Sequence, residues 1–207
     1  MQTKITQILK NIENLYRDLE KEYQKASKNY GFSLKGKKVI FLESIRKSNK
    51  KIKESAFHYI FTASFCHLLS IPFIWAMIIP IFLLDIGLWI YQAFAFPLYG
   101  IPKVKRRDYI IYDRKFLSYL NVIQKLNCTY CTYANGLFAY AVEIGARTER
   151  YWCPIKAAKH PRVTHSLYAE FADYGDPKGF KQKFNHADYS KLESNPKPKA
   201  KNQKKKR

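Results

Sequence analysis

The residues best suited to chemistry are Cys128, Cys131, Cys153 and His160, all in the second half of the chain. Thiolates and an imidazole are common zinc donors, so the set suits a structural zinc, and an iron–sulfur cluster is the other metal reading. A zinc ion holds its thiolates at about 2.3 Å, so every ligand must converge on one point. Cys128-x-x-Cys131 alone also suits a thiol redox pair, although no βαβ pattern surrounds it. The remaining reading is packing, because a cysteine outside a disulfide behaves as a small apolar side chain. There is no GxSxG, HExxH, Walker or dinucleotide signature, so the sequence nominates no catalytic residue.

The segment from 108 to 160 must position these groups. Asp113 is suited to cap a helix carrying Phe116, Leu117, Leu120, Ile123 and Leu126 on its apolar face. Asn135-Gly136 is a turn dipeptide. A second helix then runs over 137–152, with Leu137, Tyr140, Ile144 and Tyr151 on one face and Glu143–Arg147 as an i,i+4 pair. The two predict a helical hairpin that sets Cys128 opposite Glu143 and Cys131 opposite Tyr140. A helix over 137–152 is about 24 Å long. It would hold Cys131 and Cys153 near opposite ends, so a shared metal requires a break, for example at Gly145.

A larger feature lies upstream. Ala56 to Tyr99 is predominantly apolar, with Asp85 its one formal charge. As a single helix it would be about 66 Å long, roughly twice the hydrocarbon thickness of a bilayer. Lys47, Lys50, Lys51 and Lys53 precede it, and Lys103, Lys105, Arg106 and Arg107 follow. Basic residues at both ends put both ends in the cytosol and require an even number of crossings. A two-helix membrane hairpin, crossing twice or re-entrant and shallow, and reversing between Pro72 and Pro80 or at Pro80, is therefore expected. Reversal near Ala76 would set His67 and Asp85 at one depth. They would form either an intramembrane proton or ion site, or a hydrogen bond that fixes the hairpin.

The flanks are strongly basic. The chain has 37 Lys and Arg against 16 Asp and Glu, for a net charge of +21. Ile5, Ile8, Ile12, Leu15, Leu19 and Tyr23 predict an amphipathic helix over 3–30, suited to packing on the chain or on a partner helix. A Lys-rich connector with a short helix bearing Val39, Ile40, Leu42 and Ile45 should follow. Beyond Asp173 apolar content falls, and the chain ends in Lys204-Lys205-Lys206-Arg207. Such a tail is attracted to anionic lipid head groups by about 1 kcal/mol per basic residue. It lacks aromatics after Tyr189, so a nucleic-acid partner is not expected.

The run Phe96-Pro97-Leu98-Tyr99-Gly100-Ile101-Pro102, then Asn127-Cys128-Thr129-Tyr130-Cys131 with Tyr133-Ala134-Asn135-Gly136-Leu137, then Arg147-Thr148-Glu149 with Tyr151-Trp152-Cys153-Pro154-Ile155-Lys156, resembles a family of small uncharacterised bacterial integral membrane proteins. The resemblance covers roughly 60–160. It implies a bacterial inner-membrane location and carries over no activity. Members often have His directly after the Ile-Lys, where this chain has Ala157, with His160 three residues later.

The expectation is an all-α, multi-pass membrane protein with cytosolic termini. Residues 1–54 would be a basic helical region, 55–100 the membrane hairpin, 101–172 a cytosolic helical hairpin with the CxxC, and 173–207 a basic disordered tail. Its function would be that of a non-catalytic anchor or assembly partner with a basic cytosolic face. The alternative is a membrane-associated metal-binding or thiol-redox protein.

Overall fold

The computed structural model describes residues 2–35, 38–159, 161–184 and 189. The fold is mostly helical, and the chain forms two compact units, Met1–Trp75 with Ile111–Tyr133 and Ala76–Ile110 with Ala134–Arg207.

The first unit opens with α1 (Gln2–Asn29), in agreement with the apolar periodicity. Asp18 pairs with Lys21 at 2.8 Å, but Leu15, Leu19 and Tyr23 of its stripe are exposed. Gly31 ends the helix at φ +60°, where a side chain would be strained and a Cβ would strike Ile45. The expected connector instead contains a β-hairpin, β1 (Phe32–Lys35) and β2 (Lys38–Phe41), antiparallel with Phe32 facing Phe41. Val39 and Ile40 are thus strand residues, as their β-branching favours, and Ile45 belongs to α2 (Glu43–Lys51). After α3 (Ala56–Phe61) comes α4 (Phe65–Ala76), whose Trp75 ring lies 5.2 Å from that of Tyr130. The Tyr130 hydroxyl donates to the Ile74 carbonyl at 2.8 Å. β2 also meets the short 3-10 turn Arg114–Phe116, which comes from the other side of the apolar block.

Asp113 does not cap a helix; residues 114–116 form only that turn. The long helix α6 starts later, at Val122. Asn121 and Gln124 cap it reciprocally, each backbone N–H donating to the other's side-chain oxygen at 2.9 Å.

Three expectations are corrected. First, α6 (Val122–Trp152) is one helix of 31 residues, without a hairpin at Asn135-Gly136 or a break at Gly145. Gly136 serves close packing: a Cβ there would stand 2.8 Å from the Tyr109 carbonyl oxygen. The facing of Cys128 with Glu143, and of Cys131 with Tyr140, falls with the hairpin. Second, α4 and α5 (Ile78–Leu98) are separated by Met77 alone, whose backbone is right-handed helical at φ −63° and ψ −14°. Pro80 sits in the first turn of α5, where a missing N–H costs nothing. Among the described residues one helix, Phe65–Leu98, is long and apolar enough to cross a membrane, and only 6% of its apolar window is buried. Third, residue 173 does not begin a disordered tail. Gly175 turns the chain at φ +83°, and Asp176 caps α7 (Pro177–Lys183) by accepting from Gly179 N at 3.0 Å. The Tyr189 hydroxyl donates to the Arg147 carbonyl at 2.8 Å. The basic run 204–207 lies outside the described residues.

In the second unit the core gathers Phe96, Leu137, Ile144 and Phe171, all nearly inaccessible. Gly100, at φ +65°, closes α5: Ile101 N donates to Phe96 O at 2.9 Å and Gly100 N to Pro97 O at 3.3 Å. The chain then doubles back along α5. Val104 N donates to the Gln92 side chain at 2.7 Å, and Arg106 reaches Asp85.

Candidate functional site

The polar groups that the second unit brings together lie on the last turns of α6. Glu143, Arg147 and Arg150 recur at spacings of four and three, which stacks them on one helix face. The loop that returns beneath this face is held by a parallel bridge between Ile155 and Ala172. Packing of Leu167 and Phe171 on Ala146 fixes it further.

Glu143 is the centre. One carboxylate oxygen accepts from Arg147 Nε at 3.0 Å and the other from Ser166 Oγ at 2.8 Å. The Glu143 and Arg147 side chains are only 10% and 12% exposed. Arg147 also donates to the Pro102 carbonyl at 2.6 Å. Two loops are therefore tied to one helical ion pair. Beside it, His165 Nε2 lies 3.0 Å from Glu149, while its Nδ1 accepts from Leu167 N at 3.2 Å. The second bond places the ring proton on Nε2, so both nitrogens are engaged. Arg150 closes the set with Glu170 at 3.5 Å and the Lys183 carbonyl at 3.1 Å. Glu149, Thr164, His165 and Tyr168 border a cavity of about 280 Å³. Three carboxylates, an imidazole and two guanidinium groups converge here, and each is engaged in a contact that ties the fold together. The arrangement is a clasp.

Two phenols record the dryness of this region. Burial pushes Tyr109 up to about 12, with the Glu143 charge adding to the effect. Burial also raises Tyr189 to about 12, against the pull of Arg150 and Arg147. An unfolded chain ionises its tyrosines near pH 10. Stability is therefore whole below about pH 10 and falls as pH rises through about 12. Chemical denaturation across that interval should show the fall, and Tyr109→Phe should flatten it. An unchanged slope in that variant would refute the assignment.

The residues singled out from sequence are distributed otherwise. Cys128 and Cys131 lie on early turns of α6, Cys153 follows its last residue, and none of the four cysteines is in a disulfide. His160 lies outside the described residues. Among the described residues no group of three or more His, Cys, Asp or Glu could hold a metal ion. His67 is exposed. Asp85 is paired with Arg106, through Nη2 at 2.6 Å and Nε at 3.2 Å. The ion pair of Asp85 is thus with Arg106, 21 residues on, whereas the expected partner was His67. Gln92 was not anticipated. It is 4% exposed and joins Tyr140 to the Val104 backbone. Its signal was an amide on an apolar helix seven residues from Asp85, hence on the same face.

Comparison with protein-family models, with curated proteins and with solved structures finds no match.

Proposed function

We propose that this chain is a non-catalytic membrane-associated anchor or assembly protein, seated by the helix Phe65–Leu98 and presenting a basic face to the cytosol. The observation that carries this reading is the exposure of most of that helix, with Phe65, Phe73, Phe82, Trp89 and Phe94 each more than half exposed. The core helix of a water-soluble protein would be mostly buried.

The mode of seating differs from the expected two crossings. In the first unit β2, before the apolar helix, meets the turn Arg114–Phe116, after it. That contact supports a seating with β2 and the turn on one side of the membrane, which a single straight crossing would not allow. The α5 face bearing Asp85 and Gln92 is already satisfied by the segment 101–106. A helix embedded along the interface, its Asp85–Gln92 face covered by residues 101–106 and its other face in the acyl region, is the seating these contacts support. The exposed α1 residues Leu15, Leu19 and Tyr23 suit a helical protein partner, and the basic flanks suit anionic head groups. The bacterial inner membrane and cytosolic termini are part of the same proposal.

Two measurements test it. The full chain should float with phosphatidylcholine vesicles in high salt, since the seat is apolar. Ser55→Cys and Lys103→Cys should both react with a membrane-impermeant maleimide from the same face of oriented vesicles, above the labelling of the unmodified chain. Labelling from opposite faces would make the helix a transmembrane span and sink the interfacial reading.

A further inference from the structure

The first unit contains a second concavity, of about 660 Å³, between β2, α2 and the start of α6. Arg46, Lys50, Lys53, Lys115 and Lys125 line it, and among the described residues no carboxylate does. Arg46, Lys50 and Lys53 follow one another at spacings of four and three, which puts them on one side of α2 and its extension. Lys115 comes from the 3-10 turn and Lys125 from the first turns of α6. Among the described residues none of the five forms an ion pair. A solvated face spreads its charges, whereas these converge from three elements on one hollow. Such convergence is repulsive unless an anion neutralises it.

A second observation points the same way. Ser118, in the wall of this cavity, has a hydroxyl buried from water and, among the described residues, without a hydrogen-bond partner. An unsatisfied buried hydroxyl is destabilising, and an oxyanion in the cavity would accept its hydrogen bond. Val39, Phe41 and Phe116 supply apolar wall beside the charges. The combination of a guanidinium fork, lysine point charges and a hydroxyl donor is the chemistry that binds phosphate.

We infer that this cavity is a binding site for a phosphate group, carried by a membrane lipid head group or by a soluble phosphate ester. Lys50, Lys115 and Ser118 are its principal donors. Only the lipid source rests on the membrane reading above; the phosphate chemistry stands without it.

The test uses the full chain in detergent micelles. Pyrophosphate binding is measured by calorimetry for the unmodified chain, for Lys50→Gln/Lys115→Gln and for Lys178→Gln/Lys181→Gln on α7, which changes the charge equally but elsewhere. Each lost charge-assisted bond should weaken binding about tenfold, so the cavity pair should lose about 100-fold. The α7 pair should lose less than about threefold, since exposed charges that do not line the cavity are screened by solvent and salt. Ser118→Ala should weaken binding about fivefold while leaving thermal stability equal or higher, because it removes an unsatisfied buried group. That variant keeps the test open if the lysine pair fails to fold. Equal losses in both lysine pairs, or Ser118→Ala binding like the unmodified chain, would overturn the site. So would no binding of either pyrophosphate or phosphatidic acid by the unmodified chain.

Vesicles separate the sources. Preference for phosphatidic acid over phosphatidylserine in phosphatidylcholine vesicles, lost in the cavity variants, assigns the lipid. Pyrophosphate binding without that preference assigns a soluble ester. Failure to float on phosphatidylcholine would refute the membrane seat and leave the pyrophosphate result untouched.

Discussion

Glu143→Ala is expected to lower the stability of the second unit by about 3–5 kcal/mol, the cost of leaving one member of a buried ion pair uncompensated. The substitution strands Arg147 and leaves Ser166 Oγ without its acceptor, while the Arg147 bond to Pro102 has to hold a lone buried cation. Both loops that meet α6 should loosen together. Glu143→Ala/Arg147→Met should cost less than the sum of the single changes, because residues in one network do not act independently. Denaturant unfolding of the three variants measures this. Additive losses, or a single change costing under about 1 kcal/mol as for an exposed pair, would show that the clasp carries no load.

Alanine at two glycines of α6 should act in opposite directions. In an open helix interior, Gly→Ala stabilises by about 1 kcal/mol. At Gly145 no atom stands within 4 Å of the new Cβ, so that gain should be seen in full. At Gly136 the Cβ would lie 2.8 Å from the Tyr109 carbonyl oxygen and 3.0 Å from Ile110 Cα. Both are backbone atoms that cannot rotate away, and overpacking of this kind costs about 1–3 kcal/mol. Thermal melts should place Gly145→Ala above the unmodified chain and Gly136→Ala below it. Stabilisation by both would mean that the 109–110 segment does not press on the helix.

Much was legible from residue order. The α1 helix, the Glu143–Arg147 pair and the apolar block all follow from spacing, because side chains three or four apart on a helix meet whatever the rest of the chain does. The basic flanks likewise say where charge must sit, as hydration of Lys and Arg depends little on fold. Asn135-Gly136 misled for a definite reason. A glycine is required wherever backbone must approach closely as well as wherever it must turn, and local sequence does not distinguish the two. Asn121 and Gln124 carry a cap signal, but Asp113 offered a competing one eight residues earlier, and packing chose between them.

The remaining features belong to tertiary structure. The partner of Asp85 is Arg106, which reaches it only because Gly100 turns the chain back along α5. His165 and Ser166 join Glu149 and Glu143 across separations of 16 and 23 residues. The five cations of the phosphate cavity come from three elements with no shared periodicity. The sequence by itself determined which segments are apolar, which are charged and that α1 is helical, since those are properties of neighbours along the chain. Which polar group meets which was decided by loop closure, whose entropic cost has no residue code and is repaid only by contacts the folded chain supplies.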